Sequence, residues 1–350
     1  MKLTFVCHKV QGRGGTETVL VKVLNHFAKE NNEVKLILSN SPADQSWLDE
    51  LDESISIKKP ISGNKIVKAA YFSKIFILAD KDEVFILLSA NLIKFAKKVQ
   101  RIFHKKNKII SWIHFSLFEQ EMFNPFNIKY ADYHLAISSV IRKQLISLGI
   151  PQDKIYLVLN PIKKNVKFSD KKIENDQLKH FIFVGRVTLD GQKNLRELFN
   201  AFSLIESEKI VLDVFGSGKD VVKCKAYCEK KGIKNRIVWH GWVSNVWETI
   251  DFKPIALILS SKFEGLPMVA IEAMSRGISV ISSNFKGVND VVNTDNGWQY
   301  KLGNSKELAT KIIDAVEHSK NPDTVMASIN KFYEPTYFKN FDEVLKKIEG

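Results

Sequence analysis

Short apolar runs alternate with longer stretches whose apolar residues recur at helical spacing along this chain. In the first half, Leu3 to Cys7, Val34 to Leu38, Ile55 to Ile57, Val84 to Leu88, Lys108 to Ile113 and Ile155 to Ile162 predict strands. Val19, Leu20, Val23, Leu24 and Phe27 mark a helix, and others are expected near 64–79, near 91–103 and from Ser139 to about 148. The second half repeats the scheme with strands at Phe181 to Val184, Leu212 to Phe215, Ile237 to Val243, Ile255 to Leu259 and Ile278 to Ile281. Its helices are expected from Lys193-Asn194 to Ile205, over 267–276 and from Ser305 to His318, before a tail helix from Tyr333 to Ile348. Alternation at this period implies parallel sheets covered by helices, an α/β protein of two Rossmann-like domains. A polar run over 163–179 divides them, giving domains 1–163 and 164–330 and a tail, 331–350, that returns to the first domain.

In the helix near 91–103, Leu92, Phe95, Val99, Ile102 and Phe103 are the apolar positions, with Lys94, Lys97, Lys98 and Arg101 between them and Lys105, Lys106 and Lys108 following. That is either an ordinary helix whose stripe faces the sheet or a basic face suited to an anionic membrane. Charge sharpens the question. Residues 1–165 hold 25 Lys and Arg against 15 Asp and Glu, so the first half carries most of the net +13. Such a surface attracts anionic lipid, an acidic glycan or nucleic acid.

At 350 residues, 45% hydrophobic and 26% charged, the composition is that of a globular protein. No apolar run approaches the roughly 20 residues of a bilayer span, and no signal peptide is expected. Three cysteines fit a reducing cytoplasm rather than a disulfide framework. Cys224 and Cys228 are spaced one turn apart on a predicted helix, but no second pair completes a metal site.

Candidate chemistry gathers at the predicted carboxyl ends of strands, where open α/β sheets bind ligands. The stretch from Ser261 to Gly277 reads as loop and helix between two buried strands, with Pro267 at the first helical position and Gly277 as the stop. Its early amides, with those of Gly265, Leu266 and Met268, suit an anion. Glu264 precedes the helix, and Glu272 lies inside it, where a carboxylate on an apolar helix needs a polar partner. Phe181 to Arg186 ends in Gly-Arg, and Lys193 heads the next helix, so two cations stand ready for a diphosphate. Gly12 to Glu17 is a glycine-rich turn between the first strand and helix, though it lacks the dinucleotide fingerprint. His114 closes another strand, where an imidazole donates a hydrogen bond, exchanges a proton or is simply buried. The loop after it, with Phe115, Phe118, Met122, Phe123 and Phe126, lines a groove or belongs to the core.

With Glu264 and Glu272 in Glu-x7-Glu spacing within Phe-Glu-Gly-Leu-Pro, the chain resembles the retaining glycosyltransferases of family 4. The resemblance covers nearly the whole chain and is most specific over 181–300. It implies the GT-B fold, with two sheets facing a deep cleft. It places Glu264 on the transferred sugar, Glu272 on the nucleotide ribose, and Arg186 and Lys193 on the donor diphosphate. Gly14 and Gly15, with Glu17, match the family's loop beside the donor phosphate, and His114 its histidine near the sugar. Gly216 closes the second strand of that domain, and Gly241, Trp242 and Val243 would neighbour the base. Within the family the chain looks most like bacterial lipopolysaccharide hexosyltransferases. That implies a UDP-sugar donor carrying galactose or glucose, and a glycan or lipid-linked saccharide acceptor. It implies retention of configuration and no divalent metal or other cofactor. Asp80-Lys81-Asp82 spells the D-x-D of metal-dependent transferases of another fold, but reads as a solvated turn. The expected place is the cytoplasm, peripheral on the membrane, with no nucleic-acid partner. A nucleotide-sugar epimerase of related fold, a sugar-nucleotide sensor and a noncatalytic basic membrane- or nucleic-acid-binding protein are the rival readings.

Overall fold

The computed structural model describes residues 1–349 apart from 8–14, 60–62, 119–121, 166 and 169–176. The chain forms two compact units, Met1–Pro161 with Tyr337–Gly350, and Ile162–Thr336.

The first unit runs β1 (Lys2–Cys7), α1 (Gly15–Lys29), β2 (Glu33–Leu38), β3 (Ser56–Lys58), α2 (Lys65–Ile77), β4 (Glu83–Leu87), α3 (Ala90–Ile102), β5 (Ile109–Trp112), β6 (Tyr133–Ala136), α4 (Ser139–Ser147) and β7 (Ile155–Leu157). Its strands form one sheet in the order β3-β2-β1-β4-β5-β6-β7, and every pairing is parallel. The near-continuous apolar runs of β1 and β4 follow from burial on both faces. Helix starts are fixed by side chains: Asn64 accepts from the amides of Ile66 and Val67, and Ser138 from that of Ile141.

The second unit runs β8 (Lys179–Val184), α5 (Leu195–Ser203), β9 (Ile210–Phe215), α6 (Val221–Lys230), β10 (Ile237–Gly241), α7 (Val246–Thr249), β11 (Pro254–Leu259), α8 (Met268–Met274), β12 (Ser279–Ser283), β13 (Gly297–Tyr300), α9 (Ser305–Glu317) and α10 (Pro322–Ser328). Its parallel sheet has the order β10-β9-β8-β11-β12-β13. The core under it holds Phe181, Phe183, Phe199 and Phe202. Strand order reverses between β8 and β11, so the loops leaving these two strands diverge and open a crevice at their carboxyl ends.

The last helix, α11 (Glu334–Glu349), begins where Ile162 and Tyr333 form an isolated parallel bridge. From Tyr337 onward it belongs to the first unit. There Phe341 meets the rings of Phe27 and Trp112 at 5.2 and 5.8 Å. His26 stacks on Phe338 at 3.9 Å and contacts Asp342 through Nε2 at 3.1 Å.

Several expectations shift. The sheet-facing stripe of α3 is Ala90, Ile93, Ala96, Val99 and Gln100, whereas Ile102 and Phe103 are exposed. Ala90 and Ala96 thus share the buried stripe with Ile93 and Val99, and Ile102 and Phe103 fall outside it at the helix end. The strand expected over 155–162 ends at Leu157, and that over 237–243 ends at Gly241. The expected helix over 267–276 spans Met268–Met274. Gly277 (φ +77°) donates to Met274 and Ile278 to Ala273, a closure that needs the left-handed backbone glycine adopts readily. Asp80 and Asp82 are exposed ahead of β4, as expected of a solvated turn, and each also pairs with Lys2, at 2.7 and 3.6 Å. Among the described residues, no helix is long and apolar enough to cross a membrane.

Candidate functional site

At the β8–β11 crevice, two loops that are far apart in sequence are clipped together. Lys193 Nζ donates to Glu264 Oε1 at 2.7 Å, and Ser261 Oγ donates to the same oxygen at 2.6 Å. Gln192 Nε2 reaches Glu264 Oε2 at 3.3 Å and the Phe263 carbonyl at 2.9 Å. Two more bonds fix the backbones, from the Lys262 amide to the Gln192 carbonyl and from Ser260 Oγ to the Lys193 carbonyl, both 2.8 Å. Glu264 is left with a side chain only 9% exposed, so its charge is met by donors inside the protein rather than by water. Arg186, leaving β8, is exposed and makes no ion pair with a described residue. One of the two predicted cations is therefore engaged and the other is open.

The neighbouring strand ends are joined backbone to backbone. Gly185 donates to the Phe215 carbonyl at 2.9 Å, Val187 to Ser217 at 2.9 Å, and Gly216 to Gly241 at 2.6 Å. A Cβ on Gly216 would lie 1.9 Å from the Gly185 carbonyl oxygen, so only glycine allows this approach. Beyond the joint, Trp242 is 54% exposed and Val243 half-buried. The pairing of β10 with β9 shifts register between Trp239 and Gly241, which leaves His240 as the extra residue of a bulge. Asp213 holds it: Oδ1 contacts His240 Nε2 and Oδ2 contacts His180 Nδ1, each at 2.7 Å. The His240 ring lies flat on Phe215 at 4.1 Å.

Glu272 has the polar partner its position requires. Its Oε2 accepts from Trp247 Nε1 at 3.0 Å. Arg276 covers the Trp247 ring at 4.8 Å, and burial lowers its pKa against the opposing pull of Glu272 and Glu248. At the head of α8 the Met268 amide already donates to the Leu266 carbonyl at 2.9 Å, so it is not one of the free amides expected there. The Gly265, Leu266 and Val269 amides have no acceptor among the described residues. Pro267 caps the helix instead of opening it.

In the first unit, His114 follows β5 with its ring 4.5 Å from Trp112. Its Nε2 is buried with no hydrogen-bond partner among the described residues. Burial pushes its pKa down to about 3, so the ring is neutral and does not take up a proton near neutral pH. The loop after it is pinned by Gln144, which donates to Ser116 Oγ and accepts from the Leu117 amide, both at 2.9 Å. Phe115, Phe118, Met122 and Phe126 are exposed rather than core. Gly15 opens α1 and Glu17 is buried in its first turn, while Gly14 lies outside the described residues. Cys224 and Cys228 are buried thiols pushed up to about 12 by desolvation. Among the described residues, no group of three or more His, Cys, Asp or Glu is placed to hold a metal ion.

Sequence reasoning missed Gln192, Ser261, Trp247, Asp213 and His240. The first two lie inside stretches that held recognised residues, and only their spacing to Glu264 through the fold reveals them. Nothing in sequence pairs Trp247 with Glu272.

Residues 165–330 match the family described as glycosyl transferases group 1. The chain is 33% identical to the lipopolysaccharide 1,6-galactosyltransferase of Salmonella typhimurium, covering 99% of this chain and 98% of that one. It is 32% identical to the protein of the same description from Escherichia coli K12, with the same coverage. Among solved structures, the apo form of the lipopolysaccharide outer core galactosyltransferase WaaB superposes with a TM-score of 0.86 at 32% identity over 99% of each chain. Anabaena HepE in complex with UDP shares the fold, with a TM-score of 0.83 at 16% identity over 99% of this chain and 100% of that one.

Proposed function

This chain belongs to the group 1 glycosyl transferases, and we propose that it moves galactose or glucose from a UDP-sugar to a hydroxyl of a lipopolysaccharide-type glycan or glycolipid. The galactosyltransferase names of its full-length relatives support the sugar and the acceptor class. The observation that carries the chemistry is the convergence of Lys193 and Glu264 where strand order reverses, with Arg186 leaving the same strand.

Breaking the bond between anomeric carbon and phosphate leaves negative charge on the diphosphate and positive charge on the sugar. In this reading Arg186 and Lys193 take the diphosphate, helped by the Gly265 and Leu266 amides. Lys193 then exchanges one anion for another, and Glu264 is freed to accept hydroxyl hydrogen bonds from the sugar. Glu272, oriented by Trp247, holds the ribose. Gly241, Trp242 and Val243 border the base, and Gly216 keeps that edge closed against Gly185. His114, Gly14 and Gly15 serve on the first unit, His114 as a neutral hydrogen-bonding group. Retention of configuration and independence from metal belong to this reading, as does an anionic membrane on which the acceptor is met.

Thermal melting in UDP-galactose, UDP-glucose, GDP-sugars and ADP-sugars tests it. A ligand at 100 times its Kd stabilises the folded state by about 2.7 kcal/mol. UDP-galactose or UDP-glucose is expected to raise Tm, and Arg186→Ala with Lys193→Ala to abolish the rise. No shift with any sugar nucleotide would overturn the reading. Conversion of the donor sugar without an acceptor would turn it into epimerisation.

A further inference from the structure

Among the described residues, the non-glycine positions with a positive φ are Asn31, His104 and Asn194. Asn31 and His104 follow the last turns of α1 and α3, where a left-handed residue is an ordinary way to end a helix. Asn194 instead stands at the start of α5, with φ 51° and ψ 48°, where a capping residue normally has extended backbone. Its side chain also departs from the usual role. It caps no amide of the first turn, and its Nδ2 donates to Glu197 Oε2 at 2.6 Å.

Glu197 is buried, and its other oxygen accepts from the Gly303 amide at 3.0 Å. Gly303 lies in the turn after β13, so this carboxylate ties the start of α5 to a segment 106 residues further along the chain. Two donors thus meet a charge that burial would otherwise penalise.

The residue these bonds hold in its unusual conformation adjoins Lys193. The chain turns sharply between the two, so Lys193 does not continue the helix, and its side chain runs to Glu264 at 2.7 Å. The stretch before it is pinned separately: Ser260 Oγ donates to the Lys193 carbonyl, and the Lys262 amide to the Gln192 carbonyl. Left to itself, any residue but glycine gains free energy by leaving the left-handed region, and Lys193 would swing with it.

We propose that Asn194 and Glu197 are positioning residues for Lys193: the clasp between them holds the left-handed step that aims its ammonium group, and neither touches the substrate. The proposal deepens the reading above and rests on it for what Lys193 grips.

The test takes Asn194→Ala, Asn194→Gly and Glu197→Gln, each alone and combined with Lys193→Ala, and measures UDP binding by calorimetry and stability by urea unfolding. Asn194→Ala is expected to weaken UDP binding about tenfold, the worth of one hydrogen bond to a charged group. Asn194→Gly takes up the same backbone without strain and should recover affinity to within about threefold of the unmodified chain. Glu197→Gln offers one acceptor oxygen where the carboxylate offers two, and should fall between them. Combined with Lys193→Ala, none of the three should weaken UDP binding further. In urea, Lys193→Ala should cost less in the Asn194→Ala chain than in the unmodified one, because the pair with Glu264 is already disturbed.

A clasp that only supports folding would weaken UDP binding equally with and without Lys193, and that result would overturn the proposal. So would an Asn194→Ala chain of full affinity, or a glycine variant no better than the alanine one. If Asn194→Ala does not fold, Glu197→Gln carries the same comparison. The urea cycle needs no ligand. Coupled losses there, with no sugar nucleotide or UDP bound, would sink the donor reading and leave the clasp standing, whereas additive losses would overturn the clasp whatever the donor.

Discussion

The strand-end loops of the two units are built on different principles. After β8, β9 and β11 the loops are bound to one another, by backbone hydrogen bonds at Gly185 and Gly216 and by the Lys193–Glu264 pair. After β5 the chain has a buried His114 Nε2 with no partner among the described residues and a row of exposed aromatic and thioether side chains, with Gln144 as the tie holding Ser116 and Leu117. The contrast suits their proposed partners. A diphosphate has one shape and charge, so fixed dipoles and cations stabilise it without reorganising. A glycan acceptor varies, and a surface of exposed side chains adapts to it.

Breaking the bound side should have the largest effect. Gly216→Ala forces the Gly185 backbone to move and is expected to destabilise the protein by about 3 kcal/mol or more while removing the UDP-sugar Tm shift. Urea unfolding and melting measure both, and a tolerated alanine would mean the strand-end joint is loose. Glu264→Gln comes next. It should lower turnover about 10²- to 10³-fold yet tighten binding of UDP alone, because Lys193 no longer has a carboxylate to leave. Calorimetry beside steady-state rates separates the two, and parallel losses would show the pair to be scaffolding only.

Near neutral pH the smallest effect is that of His114, which shows itself only in acid. Its pKa in the folded chain is depressed to about 3, below the ordinary value of 6.5. The stabilising contribution of the neutral ring is therefore complete above pH 6.5 and is lost as pH falls from there toward 3. That one withheld proton adds a slope of up to about 1.4 kcal/mol per pH unit in that window. His134, depressed to about 4 by burial, adds a second. Urea midpoints for His114→Gln should fall less steeply with acid than those of the unmodified chain. Equal slopes would place the ring in water.

Much of the architecture was legible because a parallel sheet buried on both faces writes its strands as apolar runs. The register of a helix stripe was harder. In α3 Ala90 and Ala96 share the buried stripe with Ile93 and Val99 while Ile102 and Phe103 stay exposed, so side-chain hydrophobicity alone misplaces the stripe. The site was legible where one local segment holds a residue, as with Gly277 closing its helix. It was illegible where the fold supplies the partner. Glu272 announced a need, but Trp247, on α7, meets it only through the fold. Lys193 and Glu264 were assigned to different parts of a donor, and only tertiary structure shows them holding each other.

The bridge between Ile162 and Tyr333 has a consequence for synthesis on the ribosome. Chain leaves the first unit at Pro161 and re-enters it at Tyr337, and Phe341 is what fills the space between Phe27 and Trp112. The half made first therefore waits with an open seam while the whole of the second half is translated. Completion of the earlier body must therefore follow synthesis of the second, and nascent enzyme stalled before Tyr337 would expose those rings to chaperones.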